Sequence, residues 1–267
     1  MNEMLDKIIK IVKEASKIML DNHFLVKQKG SFANLVTSHD IEIQDYLCKE
    51  LSLIVPGCGF ICEENDFISS INKEYVFVID PIDGTSNYAH GIQESAISVA
   101  LLHNGKPLYG VVYNPFHDEI FYATDGGGAY CNGNLIQTSK RIFADGLFCT
   151  AMSLYKKEYA KICSDIIYDV YLKCSDIRRF GSCALELCYL AAGRCDLYFE
   201  IRVFPWDYTA AYLILREAGG MLKGFNNEEL DYKKVTPLIG ANNLSNYNQL
   251  QEIVSKYLKS IPYEVKL

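Results

Sequence analysis

The chain has 267 residues, and its 33 acidic residues outnumber its 26 basic residues, so the formal net charge is −7. Apolar residues make up 49% and charged residues 22%, which is ordinary for a globular chain and excludes disordered, collagen-like and membrane-spanning sequences. The excess of acidic residues also argues against nucleic-acid binding, which usually needs a continuous basic surface. We therefore expect a globular protein with no membrane segment and no direct nucleic-acid binding.

Ten cysteines could form a disulfide framework, but their spacing and context argue against one. No pair has the C-x-x-C spacing, and only Cys58 and Cys62 lie within four positions of each other, which also disfavours a structural zinc site. The first twenty residues show no apolar segment followed by a small-residue cleavage site, so they do not resemble a secretory signal. We expect a cytoplasmic protein with reduced thiols, most of them packed as small core residues.

Hydrophobic periodicity predicts the elements in chain order. Leu5, Ile8, Val12 and Met19 recur at helical spacing and predict a first amphipathic helix that packs on a core. The later patterns predict helices over about 41–54, 182–192 and 245–260 and from Pro205 to Gly219-Gly220, and strands over 75–79, within 95–123 and over 196–201. Turn signals between the strands of 95–123 predict an antiparallel meander.

Helices that alternate with two separate sheet-like regions predict a layered α/β or α+β architecture. We expect a single unit over residues 1–267, with a soft subdivision into 1–140 and 141–267 whose halves share one interface.

Two carboxylates, Asp80 and Asp83, follow the predicted strand over 75–79 and stand three positions apart. Gly84 behind them permits unusual dihedral angles and a close backbone approach. Such a turn can aim both carboxylates and the Ile82 carbonyl at one point, and Mg²⁺ prefers oxygen ligands of this kind. An ordinary solvated acidic turn is an equally good interpretation of this segment alone.

Four further acids stand at the ends of predicted elements, and each also has an ordinary interpretation. Glu63 closes an apolar stretch, Glu200 closes a strand-like run, and Asp40 and Asp207 precede or begin helices that they could simply cap.

The residues from Phe77 to Tyr88 resemble the first signature of the inositol monophosphatase family, and the segment from Trp206-Asp207 to Gly219-Gly220 is similar to its second. Further matches in family order are Lys29, Asp40, Glu63, Gly181-Ser182, Glu200 and Ala241-Asn242-Asn243. The resemblance extends from about Lys7 to Val254. It implies an α+β fold of the sugar-phosphatase type, a layered αβαβα sandwich, with the metal-binding residues mainly in 1–140, and a homodimer.

The resemblance also implies a magnesium-dependent, lithium-sensitive phosphomonoesterase that acts on a sugar or cyclitol phosphate through metal-activated water. The implied ligands of the first ion are Glu63, Asp80, the Ile82 carbonyl and Thr85. Those of the second ion are Asp80, Asp83 and Asp207. A third magnesium ion would bind more weakly, near Glu63. The implied catalytic residues are Glu63, Thr85 and Asp40. The implied substrate contacts are Gly84, Thr85, Ser182, Cys183, Glu200 and Asp207.

The chain departs from the family pattern at two positions. Cys183 stands where alanine is common, and Thr209 replaces a small residue in a predicted helix, where its hydroxyl could bond back along the helix. Arg178, Arg179 and Arg202 lie in segments expected to border the pocket; they could be salt-bridged surface groups, or one could bind a second phosphate.

Several functions stay open at this point. The first candidate is hydrolysis of myo-inositol 1-phosphate, which Glu200 favours because its position contacts sugar hydroxyls in inositol-using members. Fructose 1,6-bisphosphate, NADP and 3′-phosphoadenosine nucleotides are alternative substrates within the same superfamily. A non-catalytic protein that binds a partner of the transcription machinery is an alternative from a different class.

Overall fold

The computed structural model of the protein describes residues 3–21, 23–28, 35–64, 68–69, 72–152, 156–258 and 265–266. The helices are α1 (Glu3–Met19), α2 (Ser38–Ile54), α3 (Thr85–Ala89), α4 (Ala160–Tyr171), α5 (Cys183–Ala191), α6 (Pro205–Glu217) and α7 (Leu244–Ser255). The strands are β1 (Val26–Gln28), β2 (Leu35–Thr37), β3 (Gly59–Cys62), β4 (Ile68–Ser69), β5 (Tyr75–Asp83), β6 (Ala96–His103), β7 (Lys106–Asn114), β8 (Glu119–Thr124), β9 (Ala129–Cys131), β10 (Asn134–Ile136), β11 (Leu147–Ala151), β12 (Asp176–Arg178), β13 (Leu197–Val203), β14 (Met221–Lys223), β15 (Lys234–Ala241) and β16 (Val265–Lys266).

The larger sheet has the strand order β10-β9-β8-β7-β6-β5-β3-β4. Strands β5 to β10 form the predicted antiparallel meander, whereas β3 runs parallel to β5 on its other side. The second sheet has the order β12-β11-β13-β15-β14, and β16 also pairs with β15. Strand β11 runs parallel to both β12 and β13, which the sequence pattern did not predict.

Three apolar clusters arrange the elements into five layers. Helices α1 and α2 pack on one face of the larger sheet, where Val12 and Leu47 share a cluster with Phe77. The neighbouring strand residue Val78 points to the opposite face and packs with α5 and α6, which also contact the second sheet. Helices α4 and α7 cover the outer face of that sheet, with Phe148 at its centre. The predicted αβαβα sandwich is confirmed.

The structure differs from the predicted elements in several places, and strands β11, β12, β14 and β15 were not predicted. Strand β5 continues through Pro81 to Asp83 instead of ending at residue 79, because an irregularity in its pairing with β6 accommodates a residue that cannot donate a hydrogen bond. Helix α4 was not predicted, and α7 ends at Ser255. Lys29 lies outside the described residues.

All ten cysteines lie in the described part of the chain and are free thiols. Five are buried, namely Cys62, Cys149, Cys163, Cys188 and Cys195, and the other five are partly buried. The partly buried thiols also pack against the apolar clusters, so the predicted packing as small core residues is confirmed; they are Cys48, Cys58, Cys131, Cys174 and Cys183. No helix among the described residues combines the length and the apolar character needed to cross a bilayer.

Candidate functional site

The end of β5 brings two carboxylates into the interior. Asp80 is 1% exposed and Asp83 is 7% exposed. The Ile82 amide donates to Asp80 Oδ1 at 3.0 Å, so the backbone of the irregular segment fixes this carboxylate. Both side chains, together with the Ile82 backbone, line one cavity.

Gly84 turns the chain from β5 into α3 with a φ of +87°, in the left-handed region. A Cβ at this position would lie 2.9 Å from the Glu94 carbonyl oxygen and 3.2 Å from the Gly181 carbonyl oxygen. Glycine is therefore required by the dihedral angle and also by the close approach of two backbone segments.

Thr85 and Asp40 form the second part of the site. The Thr85 hydroxyl lies 2.9 Å from the Ile82 carbonyl oxygen and 3.3 Å from Asp40 Oδ1. Asp40 is fully buried, and its Oδ2 accepts hydrogen bonds from the amide and the hydroxyl of Thr37, at 2.7 and 2.5 Å. Asp40 therefore caps α2, as the sequence pattern allowed, and also contacts Thr85. Asp40 is not among the described residues that line the cavity, and Thr85 is.

The N-terminus of α5 approaches Asp83 from the middle layer. Asp83 Oδ2 accepts hydrogen bonds from the Ser182 hydroxyl at 2.5 Å and from the Ala184 amide at 2.7 Å. Ser182 also caps its own helix, since its hydroxyl accepts the Leu185 amide at 3.3 Å. A carboxylate of the larger sheet is thus bound to the helix layer between the two sheets.

Helix α6 contributes Asp207 on its first turn. The Phe204 amide donates to Asp207 Oδ2 at 2.9 Å, so this residue caps the helix while it lines the cavity. The Thr209 hydroxyl donates to the Pro205 carbonyl oxygen at 2.5 Å, which confirms the predicted bond back along the helix.

Glu200 and Cys183 form another part of the wall. The Tyr198 hydroxyl lies 2.9 Å from Glu200 Oε2 and 3.0 Å from Cys183 Sγ. Burial raises the pKa of the Cys183 thiol well above its ordinary value, and the charge of Glu200 raises it further. Cys183 is therefore a neutral wall residue rather than a nucleophile.

The carboxyl groups are crowded enough to perturb one another. Burial raises the pKa of Asp80 well above its ordinary value, and the charges of Glu63, Asp83 and Asp207 raise it further. The pKa of Asp207 is raised for the same reasons, by burial first and then by Asp83 and Glu63. Burial raises the pKa of Asp83 to about 6, although the bonds from α5 lower it. Burial also raises the pKa of Glu200 to about 7.

The cavity brings together all but one of the predicted site residues. Its lining consists of Leu35, Glu63, Asp80, Ile82, Asp83, Gly84, Thr85, Ser86, Ala151, Arg179, Gly181, Ser182, Cys183, Glu186, Glu200, Arg202 and Asp207. Among the described residues, no group of three or more His, Cys, Asp or Glu side chains is arranged so that it could hold a metal ion as it is. The donors fit a hard divalent cation nonetheless, because they are carboxylate, carbonyl and hydroxyl oxygens.

Sequence reasoning missed Glu186, a buried acid in the cavity wall. Its signal was a single charged residue inside the otherwise apolar run from Cys183 to Ala192. Of the three arginines, Arg178 forms a surface ion pair with Asp176 at 2.5 Å, whereas Arg179 and Arg202 line the cavity.

Comparisons with known proteins found a matching family, similar sequences and similar solved structures. A sequence profile of the inositol monophosphatase family matches residues 1–261. The Nus factor SuhB of Escherichia coli (strain K12) is 34% identical over 231 residues, which cover 84% of this chain and 86% of the relative. An inositol-1-monophosphatase of Mesorhizobium japonicum is 36% identical over 199 residues, 74% of each chain. The solved structure of an IMPase of Thermotoga maritima superposes with a TM-score of 0.86 at 30% identity, covering 97% of this chain and 100% of that one.

Proposed function

Because the chain belongs to the inositol monophosphatase family, we propose that it hydrolyses phosphate monoesters with the help of magnesium, and that myo-inositol 1-phosphate is its first candidate substrate. One observation carries the proposal: Glu63, Asp80, Asp83 and Asp207, from three different segments, line a single cavity. Acidic side chains oppose the binding of an anion unless cations neutralise them, so this cluster needs divalent ions to serve a phosphate substrate.

These residues would hold two ions, with Asp80 as a ligand of both, and a third ion would bind more weakly near Glu63. When bound, they would supply positive charge at the phosphate and lower the pKa of a bound water. Glu63 and Thr85 would orient the attacking water, and the contact between Thr85 and Asp40 offers a place for its proton.

The remaining wall would select the substrate. The amides of Gly84 and Thr85 would hold phosphate oxygens, and Ser182 would keep Asp83 in place. Glu200, Cys183 and Asp207 would face the alcohol part of the ester. Glu200 is the residue best suited to bind ring hydroxyls, since it lines the cavity and the Tyr198 hydroxyl fixes its carboxylate.

A phosphate-release panel tests the proposal. Myo-inositol 1-phosphate, fructose 1,6-bisphosphate, NADP and 3′-phosphoadenosine 5′-phosphate are compared with magnesium, with and without lithium. The expected result is turnover of the first substrate that requires magnesium and is inhibited by lithium. Asp83→Asn should lower the rate by several orders of magnitude without unfolding the protein, while the surface control Asp176→Asn should not. Unchanged turnover in Asp83→Asn would contradict the assigned site.

The arginines favour a second candidate substrate class. Arg179 and Arg202 line the same cavity, and the Arg202 guanidinium lies over the Phe204 ring at 4.6 Å from its centroid. Two cations at the cavity wall suit a second phosphate, as in a sugar bisphosphate or NADP. Faster turnover of these substrates than of myo-inositol 1-phosphate would favour this candidate.

The similarity to SuhB proteins supports an alternative of another class, in which the fold binds a partner of the transcription machinery. The complete set of carboxylates argues for catalysis instead, because a purely binding protein does not need it. A protein that shows no magnesium binding in calorimetry and no turnover of any of the four substrates would favour the alternative.

A further inference from the structure

Glu186 is a carboxylic acid buried in the middle layer of the molecule. It lies on α5 and is 1% exposed. Its Oε1 accepts hydrogen bonds from the backbone amides of Phe180 at 2.7 Å and Gly181 at 3.1 Å, whereas its Oε2 is buried and has no hydrogen-bond partner among the described residues. An unsatisfied buried oxygen of this kind costs stability and calls for an explanation.

The segment bound by Glu186 runs from Phe180 to Ser182 and leads directly to Asp83. Asn87 of α3 holds the opposite edge of this segment, because its Nδ2 donates to the Phe180 carbonyl oxygen at 2.6 Å and to the Glu94 carbonyl oxygen at 2.7 Å. The segment therefore has its amides fixed by Glu186 and a carbonyl fixed by Asn87.

The next residues of the same segment reach the site. Gly181 has a φ of +82°, and its carbonyl oxygen would lie 3.2 Å from a Cβ on Gly84. The Ser182 hydroxyl then donates to Asp83 Oδ2. A shift of Phe180 and Gly181 would move Ser182 and withdraw that bond from Asp83.

Stability alone does not account for Glu186. Burial raises its pKa to about 8, and the charge of Glu200 contributes, so the carboxyl group is held where its ionised form is disfavoured. Burying a carboxyl oxygen without a hydrogen-bond partner costs free energy, and the two amide bonds to Oε1 offset part of that cost. The position therefore keeps an acceptor despite its energetic cost.

We propose that Glu186 is a positioning residue that fixes the Phe180–Ser182 segment through two amides and thereby orients Asp83. Only the expected effect of Glu186 on turnover rests on the proposed function. The placement of the segment is a property of the fold and is measured separately.

Two substitutions separate the acceptor from the volume of the side chain. Glu186→Gln keeps Oε1 for the two amides, and Glu186→Leu removes the acceptor at similar size. Leu187→Ala is the matched control, since Leu187 is fully buried on the same helix and its truncation leaves a cavity that lowers the melting temperature.

The first readout is amide hydrogen exchange of a peptide that covers Phe180–Ala184. Glu186→Leu should accelerate exchange there, while Glu186→Gln should leave it unchanged and Leu187→Ala should not affect it selectively. This arm gives a result whether or not the protein is a phosphatase. Unchanged exchange in Glu186→Leu would overturn the proposal.

The second readout is the magnesium affinity from calorimetry together with kcat on myo-inositol 1-phosphate. Glu186→Leu should lower one or both about 10–100-fold, as substitutions behind a metal ligand do, and should also lower the melting temperature because two amides lose their acceptor. Glu186→Gln should restore wild-type values, and Leu187→Ala should lose melting temperature but keep both values. If Glu186→Leu keeps the wild-type magnesium affinity and kcat, the positioning role is overturned. If the wild type is inactive on all four substrates, only the proposed function is overturned.

Discussion

Replacing Asp80 by Asn should stabilise the protein when divalent cations are absent and remove the stabilisation that magnesium gives the wild type. Asp80 is buried, and the neighbouring charges of Glu63 and Asp83 disfavour its ionised form. Like-charged groups gathered in the interior oppose folding. The Asn side chain keeps the oxygen that accepts the Ile82 amide at 3.0 Å, so the substitution removes the charge and leaves this bond in place.

The expected magnitudes follow from this geometry. Relief of an unfavourable arrangement at a functional site stabilises by about 0.5–2 kcal/mol. For a chain of this size each kcal/mol shifts the melting temperature by roughly 2–4 °C. Magnesium at 100 times its dissociation constant stabilises the wild type by about 2.7 kcal/mol, and the variant should gain much less because Asp80 is the proposed shared ligand.

Asp196→Asn is the matched control. Asp196 is equally buried but paired, because it accepts Arg141 Nε at 2.9 and 3.0 Å and the Leu147 amide at 2.8 Å. Its substitution should destabilise by about 2–4 kcal/mol with and without magnesium, because Asn keeps only one acceptor oxygen and Arg141 loses its buried counter-charge. Thermal unfolding is followed in EDTA and in magnesium. An Asp80→Asn variant that loses stability in EDTA, or keeps the wild-type magnesium shift, would refute the reasoning.

Three further variants test other parts of the structure. Gly84→Ala should abolish turnover and lower the free energy of unfolding by about 2–5 kcal/mol in denaturant titration, because the costs of a positive φ and of a backbone clash add. Gly57 also has a positive φ but has open space around it. Gly57→Ala should therefore cost about 1–2 kcal/mol and stay active. Thr209→Ala should change stability by less than about 1 kcal/mol, because the better helix propensity of alanine offsets the lost hydroxyl bond. Arg194 holds the pKa of Glu119 below its ordinary value, so their bond stabilises above about pH 4.3 and is lost as the pH falls through the lower folded pKa. Glu119→Gln should therefore cost about 0.2–1 kcal/mol at pH 7, and equal stabilities at pH 7 would contradict this assignment.

The sequence predicted the parts of the site that lie close together along the chain. Asp80, Asp83 and Gly84 lie within five consecutive residues, and the apolar strand pattern before them and the glycine after them are local signals. The helix cap at Asp40 and the bond of Thr209 were predictable for the same reason, since each partner lies within four residues. Helix propensity and capping act over such short separations, and these predictions are confirmed.

The rest depends on packing between distant segments. Glu186 could not be assigned, because a charged residue in an apolar helix shows that a partner must exist without showing which one. Arg178 and Arg179 are neighbours in sequence, yet one pairs at the surface and the other lines the cavity. The parallel pairing of β3 with β5 also escaped prediction, since strand patterns alone do not fix strand order. The roles assigned to the cavity residues stay predictions.

The close packing of the middle layer explains why the carboxylates of separate elements can meet. A Cβ on Gly110 of β7 would lie 2.5 Å from the Ala210 carbonyl oxygen of α6, so the helix backbone rests directly on the larger sheet. Ala210 lies one helical turn beyond Asp207, and this contact therefore fixes the distance of Asp207 from the end of β5. The bond of Ser182 to Asp83 fixes α5 against the same strand end. Six acidic residues therefore line one cavity against this helix layer, and its close packing would keep their like charges together until the proposed cations bind; they are Glu63, Asp80, Asp83, Glu186, Glu200 and Asp207.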